Sequence, residues 1–410
     1  MAVLNVPNEV AMKQVAIATE TTPGVAVTPT HRLLLDFSAT PGVGDLRASE
    51  DATGGYDRTA TVRRQSADPS GTMGGDLTYE ELAMLMQYAI KGGVAGVSDG
   101  NTPAGYTYAF SPTFNADDID SFTAQFGAEG LPFQATGVRF NEFTITGDAT
   151  DTNDAWQFSG TPFMKDVERL EGIEFVATGG STTTAVLADA GWTPDDLIGQ
   201  YIFKDYGTHI GDVRIISDND ATTITVADAF GEAVTAGDVM YVSAALPTIA
   251  NPDYETITTE GTQFFLDPYN ASSSTVGTTE VTDRIVSFNV TQTLNLSRKR
   301  RLGGIIGRLG RGAREITGTV RFEFDRWDEY VEWINGEQVS IRIQKAGSVI
   351  DADEDTTKLA RIDVERAAWG AWTEDADNNN MTVSLSFRAY LPASEPIMTV
   401  TAINTLATLP

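Results

Sequence analysis

Residues 71–93 read GTMGGDLTYEELAMLMQYAIKGG, and residues 318–336 read GTVRFEFDRWDEYVEWING. In both, a Gly-Thr pair stands seven residues ahead of the start of a helical pattern. In the first, Thr78 is suited to the N-cap and Glu81 follows three residues later, the spacing of a capping box. Leu82, Leu85, Met86, Ala89 and Ile90 then fall on one face, and Gly92 can take a left-handed C-cap. In the second, Asp325 is the expected N-cap and Asp328 complements the dipole from the first turn. Trp327, Tyr330, Val331 and Ile334 form the apolar face, and Gly336 closes the helix. The spacing predicts two short amphipathic helices.

The likeness extends in both directions. Upstream of each Gly-Thr lies a diglycine, Gly54-Gly55 or Gly303-Gly304, in an arginine-bearing arm. The first arm carries Arg58, Arg63 and Arg64. The second, SRKRRLGGIIGRLGRGAR at 297–314, carries Arg298, Lys299, Arg300, Arg301, Arg308, Arg311 and Arg314 among the apolar Leu302, Ile305, Ile306 and Leu309. Downstream of each helix come a strand, a long strand, a polar turn (147–154 and 374–380) and a closing strand. The pattern is an internal duplication, roughly 30–165 and 280–392.

Elsewhere, stretches such as VRFNEFTITG, AWQFSGTPF, IVSFNVTQTLNL and MTVSLSFRAYL alternate apolar and polar residues between Gly and Asn/Asp turns, the signature of half-buried antiparallel strands. The fold class expected is mainly β: a duplicated β unit with one helix in each copy, plus an inserted small β domain. The domain map runs as an N-terminal arm (1–29), a first domain (30–165), an inserted unit (166–250, core 175–243), a linker (251–279), a second domain (280–392) and a C-terminal arm (393–410). The inserted unit has its own alternation and glycine turns, so it is expected to fold by itself and to project outward.

Composition narrows function. The 410 residues hold 28 Lys+Arg against 57 Asp+Glu, a formal net charge of -29, and no cysteine. Disulfides, thiolate metal sites and cysteine nucleophiles are excluded. So acidic a surface repels a nucleic acid rather than wrapping it. The beginning of the chain lacks the basic and apolar run of a signal peptide, and no stretch has eighteen apolar residues together, so the expectation is a cytoplasmic product without a membrane span. The two histidines, His31 and His209, fall in different predicted domains, which speaks against a catalytic triad or a histidine metal site. Asp351, Asp353 and Asp355 begin like a calcium loop. Thr356 stands where the turn glycine belongs and Ile362 where the bidentate glutamate belongs, so this cluster, with Glu354, reads as solvated turn residues. Asp117, Asp118 and Asp120 read the same way. No cofactor is implied.

The basic arm has two readings. A single-strand nucleic-acid site needs aromatic side chains for base stacking, and the arm has none. A docking arm needs flexibility, apolar anchors and charge opposite to its partner, and the rest of this chain supplies the acidic partner.

The N-terminal KQVAIATETTPGVAVTPTHRLLL, the Gly/Arg-rich arm, GTMGGDLTYEELAMLMQYAIKGG and GYTYAFSP together resemble the tail tube, or major tail, proteins of long-tailed bacteriophages, in a variant with two fused tube domains. The resemblance covers both repeats and not the insertion. It implies two tandem tail-tube-type β-sandwich or barrel domains, each with one flanking α-helix, in a non-enzymatic virion subunit made in the host cytoplasm, whose sheets join into rings. It further implies stacking through the arms into a conduit for viral DNA, which passes without specific binding. Rings of six tube domains then require three two-domain chains, a homotrimer with pseudo-sixfold symmetry. Tape measure, tail tip and tail terminator proteins are the other partners implied. The alternative function is a secreted or surface β-rich carbohydrate-binding module using the 175–243 unit.

Overall fold

The computed structural model describes residues 14–50, 60–66, 68–114, 116, 118–127, 132–170, 172–206, 212–243, 246–270, 276–300, 306–351, 356–377, 380–392 and 396–410. Antiparallel β structure dominates, with two α-helices among the described residues. In the first part of the chain these are β1 (Gln14–Thr19), β2 (His31–Leu33), β3 (Asp36–Thr40), β4 (Val43–Glu50), β5 (Ala60–Ser66), β6 (Ser70–Asp76), α1 (Tyr79–Ala89), β7 (Val97–Ser98), β8 (Tyr106–Phe110), β9 (Phe122–Gly127), β10 (Phe133–Asp148), β11 (Gln157–Phe163) and β12 (Asp166–Arg169). Seven short strands, β13 to β19, follow between Ile173 and Val242. The last part holds β20 (Gln263–Pro268), β21 (Ile285–Thr293), β22 (Ser297–Arg300), β23 (Ile306–Gly310), β24 (Glu315–Glu323), α2 (Asp328–Asn335), β25 (Gln338–Asp351), β26 (Thr356–Asp377), β27 (Asn380–Ala389) and β28 (Met398–Asn404).

The strand pairings repeat. The first part pairs in the order β3-β6-β11-β10-β9-β1. The last part pairs in the order β21-β24-β27-β26-β25-β20. Each order has a short strand beside the N-terminal half of its long strand, β12 on β10 and β28 on β26. Each has an arm hairpin between its first two members, β4–β5 in one and β22–β23 in the other. Even the irregularity repeats: the register of β10 on β11 shifts between Phe140 and Glu142, and that of β26 on β27 between Trp369 and Trp372. Such a bulge bends a long strand, so its two halves serve different sheets. The stretch 251–279, expected as a linker, contains β20 and the buried Ile257. The 393–410 segment, expected as an arm, contains the largely buried β28.

The two copies meet edge to edge. Glu142–Asp148 of β10 pairs with Ser287–Thr293 of β21, from Glu142 opposite Thr293 to Asp148 opposite Ser287. A second seam joins β8 to β28. Both copies contribute to one continuous apolar core that includes Phe140, Phe158 and Trp156 from the first and Phe288, Val320, Ile362 and Leu385 from the second.

The strands β13–β19 pair only with one another among the described residues, in one seven-stranded sheet. They enclose a separate apolar cluster around Phe175, Ile202, Ile224 and Met240. A buried ion pair, Lys204 Nζ to Asp238 Oδ2 at 2.8 Å, ties two of their segments. Ile173 lies opposite Val242, so the two ends of the unit are already neighbours across a strand pair. Replacing 173–242 by a short Gly/Ser linker is therefore expected to leave the remainder folded. Calorimetry should lose one transition and keep the other; loss of both would show that the unit is part of the main body.

Candidate assembly surfaces

The two helices occupy matching places and have opposite surroundings. Every residue of α1 is buried. This corrects the expected amphipathic reading: Glu80, Glu81 and Gln87, off the apolar face, are enclosed as well. Beside β10 and β8 of its own copy, the later part of the chain supplies much of the cover. Tyr79 N–H donates to the Glu255 carbonyl (3.1 Å) and Asn404 Nδ2 to the Tyr79 carbonyl (3.1 Å). At the other end Gln292 Nε2 donates to the Ala89 carbonyl (2.7 Å), satisfying a terminal acceptor that the helix itself leaves open. Lys358 Nζ neutralises Glu80 at 2.7 Å. Thr78 caps as its position predicts, its hydroxyl oxygen accepting from Glu81 N–H at 3.1 Å. The C-cap is Ile90, and the left-handed glycine that follows is Gly93 rather than Gly92.

Among the described residues, no cation lies against Glu81. Its Oε1 accepts from the N–H groups of Leu34 (2.5 Å) and Leu35 (3.2 Å), and its Oε2 accepts from the Thr78 hydroxyl (2.9 Å). Burial nevertheless dominates and pushes its carboxyl up from 4.5 to about 7. The folded state thus holds this proton more tightly than the unfolded chain does. The associated stability is complete below pH 4.5 and is lost as pH rises through about 7. Relative to Glu81→Gln, the native protein should lose on the order of 3 kcal/mol between those limits. Denaturant titrations of both proteins at several pH values measure it, and parallel profiles would exclude a buried proton at this position.

In α2 three of the four residues of the expected apolar face point outward, while Tyr330 packs inward against Trp372. Trp327 is 62% exposed, Val331 48% and Ile334 61%, while the buried residue is Glu329. Asp325 does not cap; the N-cap residue is Trp327, without a side-chain hydrogen bond. Asp325 instead lies 2.5 Å from Arg284 Nε, and the Arg284 guanidinium makes a two-point contact with Glu329 (2.7 and 3.1 Å). This fixed fork orients the helix from its polar side. Trp333 donates to the Gly370 carbonyl at 2.6 Å and stacks on Trp372, with Tyr330 and Phe324 joining the aromatic group. Gly336, at φ 66°, ends the helix as predicted.

Of the arm residues, Arg298, Lys299 and Arg300 stand on β22 and Ile306, Arg308 and Leu309 on β23, opposite one another in a two-stranded hairpin. The docking reading asks for a flexible arm at this place. Arg301, Leu302 and Ile305 lie outside the described residues. Arg63 and Arg64 stand on β5 of the first hairpin, and Arg58 lies outside the described residues. Arg311, at the base of the second arm, donates to the Ala116 carbonyl at 3.1 Å, while Arg314 is in the segment leading to β24.

His31 lies on β2, opposite Ile17, and burial lowers its pKa; His209 is outside the described residues. Asp118 and Asp120 fasten the loop after α1, accepting from the Thr113 hydroxyl (2.5 Å) and from Gly93 N–H (2.9 Å). Asp351 ends β25, while Asp117, Asp353, Glu354 and Asp355 lie outside the described residues. Among the described residues no cluster of three His, Asp or Glu side chains could hold a metal ion, and no helix is long and apolar enough to cross a membrane. Comparison with protein-family models finds none that matches the chain, and comparison with characterised proteins finds no match.

Proposed function

We propose that the chain is a structural subunit of a phage-type tail tube, two tube domains in one polypeptide, polymerising into stacked rings that conduct viral DNA. The observation carrying this reading is the internal junction: two copies of one strand order joined head to tail, β10 of the first on β21 of the second. A repeated unit that joins its own copy edge to edge can do the same with the next chain, and a closed ring leaves no strand edge open. Three chains of two copies give a pseudo-sixfold ring with an acidic surface suited to passing a duplex without holding it. The subunit has no catalytic role in this reading. It works in the virion tail beside tape measure, tail tip and terminator proteins.

Electron microscopy of the purified protein tests the reading. Stacked rings of three chains are expected. Six chains per ring, or particles that remain monomeric at high concentration, would overturn it.

A further inference from the structure

The internal junction has a counterpart with nothing on it. Counting from the matched Gly71 and Gly318, β3 corresponds to β21: Phe37 matches Phe288, Ala39 matches Val290 and Thr40 matches Thr291. Counting from the matched register shifts, β26 corresponds to β10: Trp372 matches Phe143, Thr373 matches Thr144 and Glu374 matches Ile145. Within the chain, β10 and β21 pair with each other. Their counterparts, the C-terminal half of β26 and the outer edge of β3, have no strand against them among the described residues.

Two further pairs of matched positions differ in the same sense. Trp156, fully buried, packs edge-on against Phe288 at 5.2 Å between ring centres. Its counterpart is Met381, 42% exposed, and the counterpart of Phe288 is Phe37, which borders a groove of about 590 Å³ lined also by Val15, Phe126 and Phe133. Likewise Trp327, Val331 and Ile334 of α2 stand where α1 has Glu80, Met84 and Gln87, all three covered. The first copy's exposed features are thus covered by the second, and the second copy's are left open on the opposite side.

We infer that a second copy of this chain fills that place, its β3 edge pairing antiparallel with Thr373–Asp377 of β26, Thr40 opposite Thr373. The proposal rests on the ring-forming reading above and adds the contact and its register. Met381 and the outward face of α2 enter the groove beside Phe37 of the incoming chain. The contact is heterologous, one surface meeting a different one, so it propagates and closes into a ring when the rotation permits. Burying Trp327, Val331, Ile334 and Met381 supplies the apolar part of the association, with aromatic anchors of the kind that dominate such interfaces. The internal junction also supplies a polar check on the register: the hydroxyls of Thr144 and Thr291 are 2.8 Å apart, and Thr373 and Thr40 are their counterparts.

The chain has no cysteine, so engineered pairs are read without background. Thr40→Cys and Thr373→Cys together, both at exposed positions, should yield a ladder of covalent multimers under mild oxidation. Thr40→Cys with Asp375→Cys, one diagonal step off register, should yield far less, because diagonal neighbours across a strand pair are about 7–8 Å apart. Met381→Arg should weaken self-association at least about tenfold while the circular dichroism spectrum is unchanged. Assembled particles without the Thr40–Thr373 crosslink would overturn the interface while leaving the tube reading intact. Preferential crosslinking of the off-register pair would overturn the register. Crosslinking by Thr373→Cys alone would show a twofold contact and overturn the head-to-tail arrangement. Absence of any assembly by the native chain would remove the tube reading itself.

Discussion

Residues 14–170, expressed without the second copy, are expected to remain unfolded or to aggregate. The fragment contains α1 whole, but the groups that enclose it, Glu255, Gln292, Lys358 and Asn404, belong to the rest of the chain. Without Lys358 the carboxylate of Glu80 loses its ion pair, and the Ala89 and Tyr79 carbonyls lose the side chains that donate to them. Each large apolar side chain stripped of its cover forfeits about 1.5–3 kcal/mol more. Against a total stability of about 5–15 kcal/mol for a domain, two or three such losses leave nothing. Residues 251–410 suffer the converse loss, since β21 gives up its pairing with β10 and Phe288 its contact with Trp156. Mixing the two fragments should restore a common transition. A cooperative melt of 14–170 alone would mean that the copies are independent domains.

This expectation marks where the sequence was and was not legible. The duplication could be read because Gly-Thr, helix and polar turn recur at matching local spacing, and the insertion because its alternation is self-contained. The shared core could not be read in the same way. The pairing of Glu142 with Thr293 joins strand edges remote in sequence, and period-two alternation says which face of a strand is apolar, not which edge meets which. One signal was present for α1: Ala83, Met84 and Tyr88 lie off the assigned face, and a helix apolar nearly all round is a buried helix. For α2 the periodicity was correct and the inference from it was not. An apolar stripe normally marks the side turned to the core, but here Arg284 holds the polar side inward through Glu329 and leaves the stripe outside. The strands β20 and β28 were missed because they follow Pro- and Gly-punctuated stretches that resemble linkers.

Reversing the charge of the second arm should abolish tube growth and leave the subunit folded. The arm hairpin β22–β23 forms its own two-stranded sheet, so changing Arg298, Arg300, Arg301, Arg308 and Arg311 to Glu alters no strand of the main sheet. Arg311 gives up its contact with the Ala116 carbonyl, at an exposed position where loss costs little. The consequence for association is large for a different reason. On the proposed docking reading, a basic arm in a chain of net charge -29 is what lets one subunit approach another, and reversal converts attraction into repulsion at every ring contact at once. Individual exposed pairs contribute at most about 1 kcal/mol, but five per chain, repeated around a ring, act together. Salt provides an independent check, since screening shortens the reach of such charges to about 10 Å at 0.1 M. Native tubes should shorten as ionic strength rises, and the variant should form none at any salt concentration. Sedimentation and electron microscopy read both. Normal tubes from the variant, with circular dichroism unchanged, would mean that the arms are solvated loops and that the rings stack through some other surface.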